Sequence, residues 1–312
     1  MRLAFPILIC SVLLAACGSH PGNNEQSTAS TPMASATAAS AAASTAQAQA
    51  PASIAAPASS PATTTTSPSD SAKAGTDDTN ASNGGQDSAI TPAELAQART
   101  IYQRGAGKWT EGTNYYRITP PQPKAGSTSK VEVLEVFSWG CPACNAAHAA
   151  VDSMRKALPS FATMDYLPAS FIPTENWPLY QRVFFTAKAM GLARKSYDAM
   201  FTAVWDSGEL ATYNLAGRGL KPRSEWPTID DVARFYAKKY GVNAKQFAAV
   251  ASSFSVNMQM KRADDLIKAY GVNSTPTFVV NGMYRFSYRS AGGVAQGTEL
   301  AQWLAAKAAL GK

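Results

Sequence analysis

The chain has 312 residues, 46% of them hydrophobic, which is enough for one domain of ordinary size with some elaboration. Its formal charge of +7 is unevenly spread: residues 90–312 carry 26 Lys and Arg against 16 Asp and Glu. No basic stretch is interleaved with aromatic residues, so the charge reads as dispersed surface charge and nucleic acid is not an expected partner.

The chain starts with Arg2 and an apolar stretch from Leu3 to Leu14, too short to span a bilayer. That stretch ends in Leu14-Ala15-Ala16-Cys17-Gly18, which resembles a bacterial lipobox. The resemblance implies a signal peptide over residues 1–16, cleavage before Cys17, and a lipid on Cys17 that anchors the protein to a membrane. An ordinary signal peptide with an incidental cysteine is the alternative. Either way the mature protein works outside the cytoplasm, and a periplasmic location follows, where disulfides persist. Residues 17–89 are mostly Ala, Ser, Thr, Pro, Gln, Asn, Gly and Asp, with no Phe, Trp or Tyr, a composition that cannot offset the entropy of ordering. This stretch is expected to be a tether with a reach on the order of 50 Å.

Residues 90–312 hold every Trp and Tyr and all but one Phe, so the core belongs there. Thr91-Pro92-Ala93-Glu94 has a capping residue, Pro at the first helical position and Glu three after the cap, which predicts a helix to about Arg104. Gly112 to Ile118 reads as a strand, ended by Pro120, Pro121 and Pro123. Lys130 to Phe137 is the clearest strand, dense in Val, Leu and Phe. Cys141 is the expected N-cap of the next helix, with Pro142 at its first position and an end near Leu158. Met164 to Leu167 is a second core strand. Trp177 to Ala269 reads as helix after helix, including Arg182–Met190, Ile229–Tyr240 and one capped by Asn243 that contains Phe247, Val250 and Phe254. Thr277 to Val280, the turn Asn281-Gly282, and Met283 to Tyr288 form a hairpin. A helix from Thr298 to about Leu310 follows. This order describes an α/β domain over 90–312 with an α-helical insertion at about 175–270.

Four cysteines are present, and only Cys141 and Cys144 fall in this region. A zinc site needs two further ligands, and only His148 is near. A c-type haem needs His directly after the second cysteine, where Asn145 stands. No metal or cofactor is therefore expected. A redox pair at a strand-to-helix junction needs only what is present, because helix-terminal N–H groups favour the thiolate of Cys141. A purely structural disulfide is the alternative, but a loop this short constrains the unfolded chain very little.

The stretch Glu135-Val136-Phe137-Ser138-Trp139-Gly140-Cys141-Pro142-Ala143-Cys144 resembles the active site of the DsbA thiol:disulfide oxidoreductases. Gly271-Val272-Asn273-Ser274-Thr275-Pro276-Thr277-Phe278-Val279-Val280-Asn281-Gly282 is similar to their cis-proline segment and hairpin. Tyr166-Leu167-Pro168-Ala169-Ser170-Phe171 falls where that family has a strand end. The resemblance implies a thioredoxin-like fold with an inserted α-helical domain, and a disulfide oxidase acting on reduced exported proteins. It implies Cys141 as nucleophile, Cys144 as the resolving thiol, and a cis bond at Thr275–Pro276 that leaves the Thr275 backbone free to pair with a client. Pro142 and Trp139 are further client-contact candidates; Trp139 alternatively covers the sheet edge. Glu135 is either a buried acid that handles the proton of Cys144 or a strand residue pointing to solvent. A DsbB-type membrane partner is the implied re-oxidant, and the protein is expected to be a monomer.

Two positions depart from the family pattern. Ala143 stands where the family often has His, so the thiolate loses a donor and the disulfide is expected to be less oxidising. His148 either supplies positive charge near the pair or is an ordinary half-exposed helix residue. The remaining functional alternatives are an isomerase or reductase on the same fold, and a non-catalytic lipoprotein that binds extended peptides.

Overall fold

A computed structural model describes residues 89–312 apart from Arg218. The signal peptide expected at 1–16, the lipidation site Cys17 and the tether up to residue 88 lie outside the described residues.

The sheet has five strands: β1 (Tyr116–Arg117), β2 (Val131–Phe137), β3 (Ala162–Pro168), β4 (Thr277–Val280) and β5 (Tyr284–Phe286). They lie in the order β1-β5-β4-β2-β3, with β2 and β3 parallel and the other pairs antiparallel. All seven residues of β2 are buried, as expected of a strand covered on both faces. Val131 and Val133 face a core built with Phe278, Phe286, Leu300 and Leu304, whereas Leu134, Val136 and Phe137 face one built with Phe184, Tyr197 and Phe201.

The helices are α1 (Pro92–Arg104), α2 (Pro142–Ala157), α3 (Trp177–Ala189), α4 (Ala193–Phe201), α5 (Ile229–Tyr240), α6 (Ala244–Ala251), α7 (Phe254–Ala269), α8 (Tyr288–Ala291) and α9 (Val294–Ala309). α3 to α7 occupy the chain between β3 and β4, and α4 runs into a π-helical turn at Thr202–Asp206. α1 starts in the expected capping box of Thr91 and Glu94 and packs on α9, where the Trp303 indole donates to the Tyr102 carbonyl at 3.0 Å.

Four elements differ from the sequence expectation. The strand expected over Gly112–Ile118 is reduced to Tyr116–Arg117, because Gly112 sits at φ 83° and Asn114 Oδ1 accepts the Thr110 N–H, folding the stretch into a turn. The helix expected from Asn243 through Phe254 is two helices: Ser253 turns extended and its hydroxyl caps α7. The hairpin's second strand stops at Phe286 because Ser287 caps α8. The last helix begins at Val294, four residues before Thr298.

The β4–β5 turn positions the site from behind. Asn281 and Gly282 both have positive φ, 52° and 66°, in a turn closed by the Met283 N–H donating to the Val280 carbonyl at 2.9 Å. Gly282 also accepts the Gln122 N–H at 2.9 Å, and a Cβ on it would run into the Gln122 carbonyl oxygen. Gly282→Ala is therefore expected to destabilise the protein by about 2–3 kcal/mol, read as a lower urea midpoint with unchanged slope. An unchanged midpoint contradicts this account.

Candidate active site

β2 leads directly into the cysteine pair. After Phe137, the Ser138 carbonyl accepts the Cys141 N–H at 3.0 Å and the Ser138 hydroxyl accepts the Gly140 N–H at 3.1 Å, a tight turn into α2. Gly140 is needed there because a Cβ would lie 3.0 Å from the rings of Trp177 and Tyr180. Trp139 is 1% exposed. Its indole N–H donates to the Tyr197 carbonyl at 3.1 Å, and its own carbonyl accepts from the Trp205 indole at 2.7 Å. A side chain so enclosed cannot touch a client, which corrects the expected contact role; Trp139 instead locks the turn to α4 and the π-helical segment.

Cys141 caps α2, its Sγ accepting the Cys144 N–H at 3.3 Å, with Pro142 at the first helical position. Both thiols are free; Cys141 is 5% exposed and Cys144 is fully buried. Pro142 and Ala143 are exposed beside them. Hydrogen bonding from the Cys144 thiol pulls Cys141 down to about 6, against the opposing effect of burial, with help from the Thr275 side chain and the N–H groups of Cys144 and Ala143. Burial pushes Cys144 well up, reinforced by its hydrogen bond to Cys141 and by the charges of Cys141 and Glu135. At pH 7 the balance at Cys141 is thereby shifted toward the thiolate.

The Thr275–Pro276 peptide bond is cis, and the neutral Cys141 thiol donates to the Thr275 carbonyl at 3.5 Å. The segment arrives there because β4, which begins at Thr277, is hydrogen-bonded to β2 with Thr277 opposite Val136. Two stretches more than a hundred residues apart in sequence thus meet at one sulfur.

Glu135 is fully buried, so the solvent-facing alternative is excluded. The Tyr197 hydroxyl donates to Oε2 at 2.7 Å, while Oε1 has no hydrogen-bond partner. Burial pushes Glu135 up to about 8; the Tyr197 bond works against this and the charge of Cys141 adds to it. Glu132, on the opposite face of the strand, differs in having both oxygens bonded, to the N–H groups of Ala125 and Gly126 at 2.9 and 2.6 Å. His148 lies farther along α2, partly exposed, with Nδ1 3.4 Å from Asp198 Oδ1 and its ring stacked on Phe201. It makes no hydrogen bond to either sulfur, which fits the ordinary helix reading.

Tyr197 and Trp205 belong to this site and went unnoticed in the sequence. Within Ser196-Tyr197-Asp198 and Val204-Trp205-Asp206 they read as helix-core aromatics, and nothing local reveals that their polar tips reach β2 and the turn.

The arrangement can form and break a disulfide through an acidic thiol that is nearly buried beside the exposed Pro142 and Ala143, backed by a fully buried, weakly acidic one. On ultraviolet titration of the reduced protein at 240 nm, Cys141 is expected to ionise with a midpoint near pH 6, and Cys141→Ser to abolish that transition. Because the folded value lies below the unfolded one, this thiolate adds stability to the reduced protein that is fully present above about pH 9 and lost as pH falls through 6. A midpoint at 8 or above overturns the assignment.

Among the described residues, no group of three or more His, Cys, Asp or Glu is placed to hold a metal ion, and no helix is long and apolar enough to cross a membrane. No family model matches the chain. The thiol:disulfide interchange protein DsbA of Pseudomonas aeruginosa is 32% identical over 219 residues, 70% of this chain and 95% of the relative. DsbA of Pseudomonas syringae pv. tomato is 32% identical over 193 residues, 62% of this chain and 81% of the relative. The crystal structure of Pseudomonas aeruginosa DsbA superposes with a TM-score of 0.55 at 33% identity, covering 66% of this chain and 99% of that one. DsbA from Xylella fastidiosa, at 24% identity and a TM-score of 0.54, covers 63% of this chain and 95% of its own and shares the fold. The chain therefore belongs to the DsbA family, a thiol:disulfide oxidoreductase on a thioredoxin-like fold with an α-helical insertion.

Proposed function

We propose that the protein works as an oxidase, passing the Cys141–Cys144 disulfide to reduced exported proteins. The observation that carries this reading is the split between the two thiols, Cys141 held down to about 6 and Cys144 pushed well up. A client thiolate attacks Cys141 Sγ, the Cys141–Cys144 bond breaks, and Cys144 leaves and takes a proton. The client's second thiolate then attacks its own sulfur in the mixed disulfide. The client disulfide forms and Cys141 departs as a stabilised thiolate, a good leaving group.

In the re-oxidation half of the cycle Cys141 is the nucleophile and Cys144 the resolving thiol. Glu135 supplies the proton to Cys144 on opening and takes it back on closing, a role supported by its burial and by the effect of its charge on Cys144. Pro276 and the Thr275 backbone form the ledge on which an extended client lies, supported by the approach of Thr275 to Cys141 Sγ. The exposed Pro142 forms the opposite lip. Closing the cycle requires an acceptor disulfide, which we assign to a DsbB-type membrane protein. The lipobox-like segment supports tethering through a lipid on Cys17 in the periplasm, and we propose that the tethered protein acts as a monomer.

The reading is tested by equilibrating the pair with glutathione. The potential is expected well above the roughly −270 mV of thioredoxin, and Cys141→Ser should abolish oxidation of a reduced client peptide. Ala143→His, which restores a donor beside the thiolate, should raise the potential by about 30 mV for each tenfold gain in thiolate stability. A potential at or below that of thioredoxin sinks the oxidase and leaves a reductase.

A further inference from the structure

Of the two Glu135 oxygens, only the one facing α4 is bonded. The donor, Tyr197, is buried among Phe137, Trp139, Tyr166 and Phe201, with its ring 4.4 Å from that of Tyr166. Tyr197 also lines a small cleft between α2 and α4, together with Tyr166, Asp152, Arg155, Arg194 and Asp198. The cleft has a volume of about 50 Å³, room for a few water molecules, and its rim is charged. Tyr197 therefore bonds the buried carboxyl and lines this charged cleft at once. The carboxyl has no other hydrogen-bonded neighbour: Tyr288 on α8 faces it electrostatically, but its buried hydroxyl makes no hydrogen bond.

A proton must cross this region in each turnover. When the pair closes, Cys141 is joined to an acceptor sulfur in a mixed disulfide. Cys144 loses its proton and attacks Cys141 Sγ; the Cys141–Cys144 bond forms, and the acceptor leaves as a thiolate carrying the electron pair. The proton passes to the Glu135 carboxylate, which must return it to solvent before the next cycle.

We propose that Tyr197 is a positioning residue for this step: its hydroxyl holds the Glu135 carboxylate and connects it to the cleft between α2 and α4, through which the Cys144 proton leaves the core. The proposal rests on the reading of Glu135 as the acceptor of that proton. The hydroxyl donates to the ionised carboxylate and so makes ionisation of a buried acid affordable near neutral pH. The groups facing Glu135 are Cys141 and Cys144 from α2, Tyr166 from β3, Tyr197 from α4 and Tyr288 from α8. On the cleft side, Arg155 pairs with Asp152 and His148 with Asp198, and Arg194 faces Tyr166. In the closing step the proton moves from Cys144 to Glu135.

The test is the resolution of the protein–glutathione mixed disulfide. Reduced protein is mixed with excess oxidised glutathione, quenched in acid at intervals and weighed by mass spectrometry across pH 6–10. In the parent protein the decay of the mixed disulfide should rise with an inflection near pH 8. Tyr197→Phe keeps the ring and removes the donor; the inflection should move up by about one to two pH units, with decay at pH 7 slowed on the order of tenfold. The Cys141 titration should stay near 6. Glu135→Gln should remove the inflection, and adding Tyr197→Phe to it should change the profile no further. An inflection unmoved in Tyr197→Phe but abolished in Glu135→Gln makes Tyr197 a packing residue and overturns the proposal alone. A profile unaffected by Glu135→Gln overturns the role of Glu135 as well.

Discussion

The site depends on one unusual helix cap. α2 begins with a sulfur in the place usually taken by a Ser, Thr, Asp or Asn oxygen, and the Cys144 N–H that it satisfies belongs to its own redox partner. Capping and chemistry are thereby joined. Donors that a helix end must satisfy anyway become the groups that hold Cys141 as an anion, and Pro142 removes one N–H that would otherwise compete. At pH 7 a thiolate held down to about 6 stabilises the reduced folded protein by about 1 kcal/mol relative to a thiol with no such help. The disulfide form has no anion to stabilise and gains nothing from the cap. That difference is a driving force for handing the disulfide on.

A cap can serve as a reactive group only if its surroundings are fixed, and the sheet fixes them. β2 ends at the turn that carries Cys141, and β4, its antiparallel neighbour, begins just after Thr275-Pro276. Pairing of Thr277 with Val136 leaves the sulfur and the Thr275 carbonyl little freedom to separate. The Asn281-Gly282 turn and its contact with Gln122 hold the far end of β4, and α9 backs the same face. On the other face, Trp139 is tied to α4 and Trp205 to the turn, so the helical insertion is part of the frame of the active site rather than a separate ornament.

Much of this was readable because it is local. The Thr91–Glu94 box, the Asn-Gly hairpin and the Cys-Pro start of α2 are each written within four or five residues, and each has a mechanism that acts over that distance. The misreadings share a cause as well. Gly112 to Ile118, with its paired tyrosines, reads as a strand, but Asn114 offers the backbone a local partner and the turn wins. Ser252-Ser253 sits inside an apolar-periodic run, and periodicity alone does not show that Ser253 has turned outward to cap α7. Trp139 looked like a candidate surface contact because burial of a large ring is decided by helices contributed sixty residues later. The Tyr197–Glu135 bond spans 62 positions and leaves no trace in either neighbourhood.

The remaining question is why a carboxyl is buried under the pair at all. Glu132, on the same strand, shows that this chain can bury a carboxylate with both oxygens bonded to backbone N–H groups. Glu135 has one bond and an unpartnered oxygen. Its folded pKa is raised to about 8, so the stability it contributes is fully present below the unfolded value near 4 and is lost as pH rises through 8. At pH 7 that is a penalty of a few kcal/mol, a large share of the stability of an ordinary domain. Gln in the same place would accept the Tyr197 bond without ionising and would avoid the penalty. A group kept at such a cost, with one oxygen open and both thiols within reach of its charge, makes sense for an acid that must gain and lose a proton away from bulk solvent. The same incomplete bonding that weakens the fold leaves Glu135 free to change its charge as the disulfide opens and closes.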